Sequence, residues 1–136
     1  MRRYALGLAI AFSVTSPAQA SGNCDALVSK QTAVSRAADA ALVARLGKQS
    51  VTAANVGVVM SEGPWRLVWA TPRNAERGVY FFRRSKQGGL HLIDIWGGVL
   101  APGERSDGVS WARKLSGGGP SVRMSECFAD AVIAGK

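Results

Sequence analysis

Four short apolar segments, separated by turn-forming residues, constrain the fold of this chain more than any other feature. They cover residues 55–61, 65–71, 79–84 and 90–96. The connections between them, such as Glu62-Gly63-Pro64, are shorter than the crossover of a dozen or more residues that parallel strands need. The sequence therefore predicts an antiparallel meander.

Side-chain alternation gives the predicted sheet two apolar faces. Trp65 and Trp69 share one face of the second segment, and Val68 lies on the other face. In the third segment Phe81 and Phe82 lie on opposite faces. A sheet that is apolar on both sides must be covered twice, curl, or bind something. We expect the two tryptophans to face an N-terminal helix and fill the core.

The segment before the strands predicts a long helix from about Asp25 to Leu46. Asn23 or Asp25 can cap its start, and Gly47 follows its last apolar residue. Its apolar residues recur at helical spacing and predict a buried stripe of Leu27, Val34, Ala38, Ala41, Leu42 and Leu46. The opposite side of this helix would carry Lys30, Arg36 and Asp39.

Residues 97–136 predict further cover for the sheet. A short helix is expected from Ser106 or Asp107 to about Leu115, followed by a solvent loop at 117–120. The segment 125–134 fits either a buried strand or the last turns of a helix. We predict a strand, which would return Cys127 to the first helix.

Together these elements predict an α+β fold with a curled antiparallel sheet of four to five strands and a short second helix. The order of a long helix followed by a bent sheet resembles the cystatin-like class, in which such a sheet cradles a helix. With 136 residues, of which 47% are hydrophobic and 19% charged, the chain suits one globular domain rather than a disordered tail or a multidomain enzyme.

The first 20 residues predict a secretory signal peptide. Arg2 and Arg3 precede an apolar stretch at 5–14, and Ala18-Gln19-Ala20 supplies a small-x-small cleavage pattern. The apolar stretch is shorter than the roughly 20 residues that span a bilayer. We therefore expect no stable membrane span, cleavage after Ala20, a single mature domain at 21–136, and a periplasmic or secreted protein.

Cys24 and Cys127 are the only cysteines of the chain. Two cysteines in a small exported domain usually pair, so the sequence predicts one disulfide bond. A redox thiol is disfavoured, because the chain has no C-x-x-C motif and no basic cluster beside either cysteine.

The net charge of +8 makes anionic partners the main functional prediction. The basic residues form two groups at opposite ends of the third strand, which would be about 20 Å long, and Arg66 extends either group. Tryptophans beside cations suit anionic polymers, although the same pattern is typical of a solubilising surface over a tryptophan core. The predicted binding residues are Arg73 and Arg77 at one end and Arg83, Arg84 and Lys86 at the other.

The candidate catalytic residues are few. His91 is the only histidine, and Asp94, three positions later in a strand, would point to the opposite face, so the two cannot form a catalytic dyad. Asp94 shares its predicted face with Leu92 and Trp96, and a carboxyl in apolar surroundings can act as a base. A small pocket or enzyme that uses Asp94 or His91, with Trp96, is therefore the alternative function.

The sequence favours a non-enzymatic binding module for an envelope protein or an anionic envelope polymer, and a structural envelope component fits the composition as well. No spacing of His, Cys, Asp or Glu predicts a metal site, and the run Gly117-Gly118-Gly119-Pro120-Ser121 lacks the Lys-Ser/Thr of a phosphate-binding loop. We predict no cofactor and no nucleic-acid partner. The oligomeric state is left open by the sequence.

Overall fold

Three helices pack against one four-stranded antiparallel sheet in residues 23–136, the part of the chain that the computed structural model describes. The predicted signal peptide and its cleavage site lie outside these residues. In chain order the elements are α1 (Ala33–Gly47), β1 (Val56–Glu62), β2 (Trp65–Ala70), β3 (Gly78–Arg84), β4 (Leu90–Gly97), α2 (Arg105–Arg113) and α3 (Val122–Ile133).

The sheet is a meander with the strand order β1-β2-β3-β4, which confirms the predicted antiparallel topology. Each strand pairs with the next one in the sequence because the connections are short. The cystatin-like order remains a prediction. α2 lies where the short second helix is predicted, whereas α3 adds helical cover that the sequence does not predict.

One irregularity in β4 changes the predicted faces of that strand. Asp94 pairs with Phe81 and Leu92 pairs with Phe82, so that Ile93 is an extra residue between the two pairs. Leu92 consequently packs in the core on the α1 side, whereas Trp96 packs in the core on the other side. The prediction that Leu92, Asp94 and Trp96 share one face is wrong.

The sheet has a core on each face. On one face Val68 and Phe82 pack with Val43 of α1, and on the other face Trp69 and Phe81 pack with residues of α2 and α3. The expectation that Trp65 and Trp69 face the N-terminal helix is wrong, because both belong to the core beneath α2 and α3. Alternation separates the two faces of a strand but does not say which helix covers each one.

The chain before α1 is not helical as predicted. Cys24–Ala26 form a short 3-10 turn, and Val28 then makes an isolated bridge with Met60 of β1. The helix starts after Thr32, whose hydroxyl accepts a hydrogen bond from the Ser35 N–H while the Ser35 hydroxyl oxygen accepts one from the Thr32 N–H. The prediction of helix between Asp25 and Thr32 is wrong.

α1 also presents a different face to the sheet from the predicted one. Val34 is 81% exposed, and the buried residues of the helix are Asp39, Ala40, Leu42 and Val43. Alanine is small enough to lie on either side of a helix, so the alanine-rich stripe did not determine the buried face.

A buried ion pair joins α1 to β2. The Arg66 guanidinium donates to both carboxylate oxygens of Asp39, at 2.8 and 2.7 Å, and to the Ser61 hydroxyl at 2.9 Å. Asp39 is only 3% exposed. The prediction that Asp39 lies on the outer side of the helix is therefore wrong, and Arg66 extends neither basic group because its charge is already neutralised.

α3 replaces the strand predicted at 125–134, and that prediction is wrong. Ser121 caps the helix by accepting a hydrogen bond from the Met124 N–H. The helix carries Cys127 to the 3-10 turn that holds Cys24, where the predicted disulfide is formed with its Cα atoms 5.6 Å apart.

An ion pair on the surface fixes α2 to α3. The Arg105 guanidinium donates to the Asp130 carboxylate at 2.6 and 3.1 Å. The hydrogen bond with Asp130 raises the pKa of Arg105 above its ordinary value.

Candidate functional site

An open groove lies at the end of the sheet where β3 finishes. It has a volume of about 840 Å³ and is bounded by the β1–β2 turn, the end of β3 and the glycine loop between α2 and α3. We call it the arginine groove, and its lining residues are Glu62, Gly63, Pro64, Trp65, Arg83, Arg84, Ser85, Lys86, Gly117, Gly118, Gly119 and Ser121.

The groove contains one of the two basic groups that the sequence predicted. Arg83, Arg84 and Lys86 all line it, and none of the three forms an ion pair with another residue of 23–136. Arg84 and Lys86 are exposed. This end of the sheet therefore presents positive charge that the described part of the chain does not neutralise.

Arg83 is held in a fixed position between the sheet and the glycine loop. Its guanidinium carbon lies 5.7 Å from the centre of the Trp65 ring, and its Nη1 donates to the Ser116 carbonyl at 3.0 Å. A Cβ atom at Gly117 would lie only 1.7 Å from that Nη1. The absence of a side chain at Gly117 therefore makes room for the guanidinium.

The one acidic residue of the groove already has partners within the described chain. The Ser121 hydroxyl donates to the Glu62 carboxylate, and Arg123 approaches the same carboxylate to 3.9 Å. Glu62 thus contributes less repulsion toward an anion in the groove than a free carboxylate would.

A comparison of two glycine substitutions tests how Arg83 is held. Gly117 and Gly118 both have positive φ, so alanine at either position incurs a backbone cost of about 1–2 kcal/mol. Only Gly117→Ala also displaces the guanidinium, because nothing lies within 4 Å of a Cβ at Gly118. We expect Gly117→Ala to lower the free energy of unfolding, measured by urea denaturation, by about 1 kcal/mol more than Gly118→Ala does. Equal losses would mean that Arg83 contributes nothing by its contact with the loop.

The second predicted basic group lies at the other end of β3. Arg73 and Arg77 are exposed in the β2–β3 loop, and the Arg77 Nη1 donates to the Gly135 carbonyl at 2.7 Å. The structure thus separates the predicted binding residues into two sites at opposite ends of the strand, with Arg77 preceding it and Arg83 and Arg84 ending it.

The structure places the residues of the alternative pocket on the surface. Asp94 is exposed and its carboxylate accepts a hydrogen bond from the Ile95 N–H at 2.8 Å. His91 is exposed as well, and neither residue lines the arginine groove or three further cavities of the described chain. A pocket built on these groups needs one of them to face inward beside unfilled space, and neither does. Trp96 is half-buried, with its ring centre 4.9 Å from that of Trp111.

Sequence reasoning missed the part of the groove that comes from the second half of the chain. The sequence predicts only a solvent loop at 117–120, whereas Gly117, Gly118 and Gly119 form one wall of the groove. Three consecutive glycines between two helices are the only local signal, and they do not identify the strand that the loop lies against.

Within residues 23–136 no helix is both long enough and apolar enough to cross a membrane. No group of three His, Cys, Asp or Glu side chains in these residues is placed to hold a metal ion. A comparison with known proteins finds no family model, no curated protein and no solved structure that matches this chain significantly.

Proposed function

We propose that this chain is an exported, non-enzymatic binding module that recognises an anionic partner through the arginine groove. The partner is an acidic segment of an envelope protein or an anionic envelope polymer. The observation that carries the proposal is that three cations line the groove and none of them has an ion-pair partner within residues 23–136.

The chemistry of the lining supports an anionic ligand. A guanidinium is planar and matches the geometry of carboxylate and phosphate groups, so Arg84 can form paired hydrogen bonds to either. Arg83 is already ordered against Trp65 and Ser116, which lowers the entropic cost of using it. Lys86 adds a third charge to the same groove.

The shape of the groove supports an extended ligand. It is open along the end of the sheet and is lined by residues from three connections rather than enclosed by a core. Small-molecule sites bury most of their ligand, whereas an open charged groove suits a segment of a longer chain. Export is supported by the predicted signal peptide and by the disulfide, since disulfides persist in oxidising compartments.

Charge reversal in the groove provides the first test. The double variant Arg84→Glu/Lys86→Glu is compared with Lys30→Glu/Arg36→Glu, which makes the same change of net charge at two exposed positions outside the groove. The probe is fluorescent poly-L-glutamate, titrated at low and at high salt. We expect the groove variant to weaken binding about tenfold or more, equivalent to about 1.4 kcal/mol, and to reduce its salt dependence.

Two outcomes would contradict the proposal. If both double variants weaken binding equally, the interaction reflects net charge rather than a site. If neither variant changes binding or its salt dependence, the arginine groove does not bind anions. A pull-down from native envelope extract with the oxidised mature protein then distinguishes a protein partner from a polymer, with the groove variant as the negative control.

A further inference from the structure

We infer that the opposite end of the sheet is a second binding site, which takes the carboxylate of a small organic acid. The groups that would bind the carboxylate are the indole N–H groups of Trp69 and Trp96 and the guanidinium of Arg77. This site shares no lining residue with the arginine groove, so the inference is independent of the proposed function.

Strand register creates the cavity. Trp69 of β2 and Trp96 of β4 both pair with Val79 of β3, so a valine lies between two indoles on one face of the sheet. The smaller side chain leaves a cavity of about 10 Å³, which Val132 of α3 also lines. That volume is close to what one water molecule or one oxygen atom of a ligand needs.

Both indoles carry a hydrogen-bond donor that is left unpaired. The Nε1 atoms of Trp69 and Trp96 are buried and have no hydrogen-bond partner in the described chain, and Trp69 is only 1% exposed. Most buried polar groups are paired, and an unpaired buried donor costs about 1–3 kcal/mol. Both donors belong to residues that line the same cavity, and this coincidence is the basis for inferring that a ligand atom accepts from them.

The side chains of the lining favour an anion over water. Besides the two indoles, the polar side chains at the cavity are those of Arg77 and Lys136, so every polar side-chain group there is a donor. A water molecule would bring two O–H donors, which only backbone carbonyls of the lining could accept. A carboxylate oxygen accepts several hydrogen bonds, donates none, and is attracted by both cations.

An adjoining groove provides space for the rest of the ligand. It has a volume of about 370 Å³ and shares Trp69, Arg77 and Lys136 with the small cavity. Its other lining residues have small or medium-sized side chains, namely Ala54, Asn55, Val56, Gly57 and Thr71. The organic part of a small acid therefore has a place beside the cavity, which a bare halide ion would leave empty.

Indole N–H signals give a direct test in the intact oxidised protein. The chain has four tryptophans, so a proton–nitrogen correlation spectrum shows four indole signals, which single Trp→Phe variants assign. The protein is titrated with sodium acetate and sodium propionate, and with sodium chloride at equal ionic strength. We expect the organic acids to shift the Trp69 and Trp96 signals saturably, while the Trp65 signal at the far end of β2 stays in place.

The matched variants are Arg77→Gln and Arg73→Gln, which remove the same charge from the same loop. Only Arg77 lines the cavity, so we expect Arg77→Gln to weaken acetate binding about tenfold or more, which corresponds to about 1.4 kcal/mol, and Arg73→Gln to leave it nearly unchanged. The Arg84→Glu/Lys86→Glu variant should bind acetate like the unaltered protein, which separates this site from the arginine groove.

The inference is overturned if the unaltered protein shows no saturable shift with either organic acid. It is equally overturned if chloride produces the same shifts as acetate, because the cavity would then hold a simple ion. Equal losses in Arg77→Gln and Arg73→Gln would also overturn it, since the effect would come from net charge.

Discussion

Replacing both cysteines, as Cys24→Ala/Cys127→Ala, is expected to lower the free energy of unfolding by about 4–5 kcal/mol. The bond closes a loop of 103 residues, nearly the whole of the described chain. In the chain-entropy model the stabilisation grows with the length of the closed loop, because the cross-link restricts the unfolded ensemble. A domain of this size is typically stable by about 5–15 kcal/mol, so the variant should lose about a quarter or more of its stability. Urea denaturation of the oxidised protein and the variant measures the difference.

The reduced unaltered protein is the control for the disulfide prediction. Reduction breaks the cross-link but keeps both sulfur atoms, whereas alanine also removes the buried Cys127 side chain, which is 1% exposed. We expect the reduced protein and the alanine variant to lose similar free energies of unfolding, with a slightly larger loss in the alanine variant. A loss of less than about 1 kcal/mol in the reduced protein would contradict the entropic argument. Local contacts such as the bridge between Val28 and Met60 would then be sufficient to hold the N-terminal segment.

The sheet was predictable because its signals are local. Turn residues such as Gly63 mark where one strand ends and the next begins. The alternation of Trp65, Leu67 and Trp69 shows that these side chains share one face of β2, whatever the other elements do. The disulfide was predictable for a different reason, since two cysteines allow one intramolecular pairing.

The helical layers were not predictable in the same way. The segment 125–134 is apolar enough for a strand or a helix, and its choice of helix depends on the sheet face that α3 covers. α1 contains many alanines that are compatible with several buried faces, and the face that is buried carries Asp39, which pairs with Arg66 of β2. In both cases the outcome depends on contacts with elements that are distant in the sequence.

One part of the candidate sites could be predicted from the sequence, and another part could not. The cations Arg77, Arg84 and Lys86 were identifiable as exposed charge at strand ends, because composition and strand position suffice for that. The site of Trp69 and Trp96 was not identifiable, because the extra residue at Ile93 shifts the faces of β4 and places Trp96 beside Val79. A one-residue irregularity in a strand leaves no reliable trace in the sequence.

Arg66→Ala is expected to lower the free energy of unfolding by about 3–5 kcal/mol. The Asp39 side chain is 4% exposed and the Arg66 side chain 26%, so removing Arg66 leaves a buried carboxylate between α1 and β2 without a counter-charge. Breaking a buried pair on one side is far more costly than replacing both partners, because the remaining charge keeps its desolvation penalty. The apolar double variant Asp39→Leu/Arg66→Met should therefore be more stable than Arg66→Ala.

Arg105→Ala is the matched control, because Arg105 makes the same two-bond contact with Asp130 on the surface. There the two side chains are 32% and 36% exposed, and the expected loss is about 1 kcal/mol or less. Urea denaturation compares the unaltered protein with Arg66→Ala, Asp39→Leu/Arg66→Met and Arg105→Ala. Because the hydrogen-bond geometry is nearly the same in the two ion pairs, a difference in their losses of stability reports the effect of burial. If Arg66→Ala and Arg105→Ala lose equal stability, the Asp39 carboxylate is solvated in the folded protein. The pairing could not then be what selects the buried face of α1, and the small side chains of Ala40 and Val43 would have to select it through their fit against the sheet.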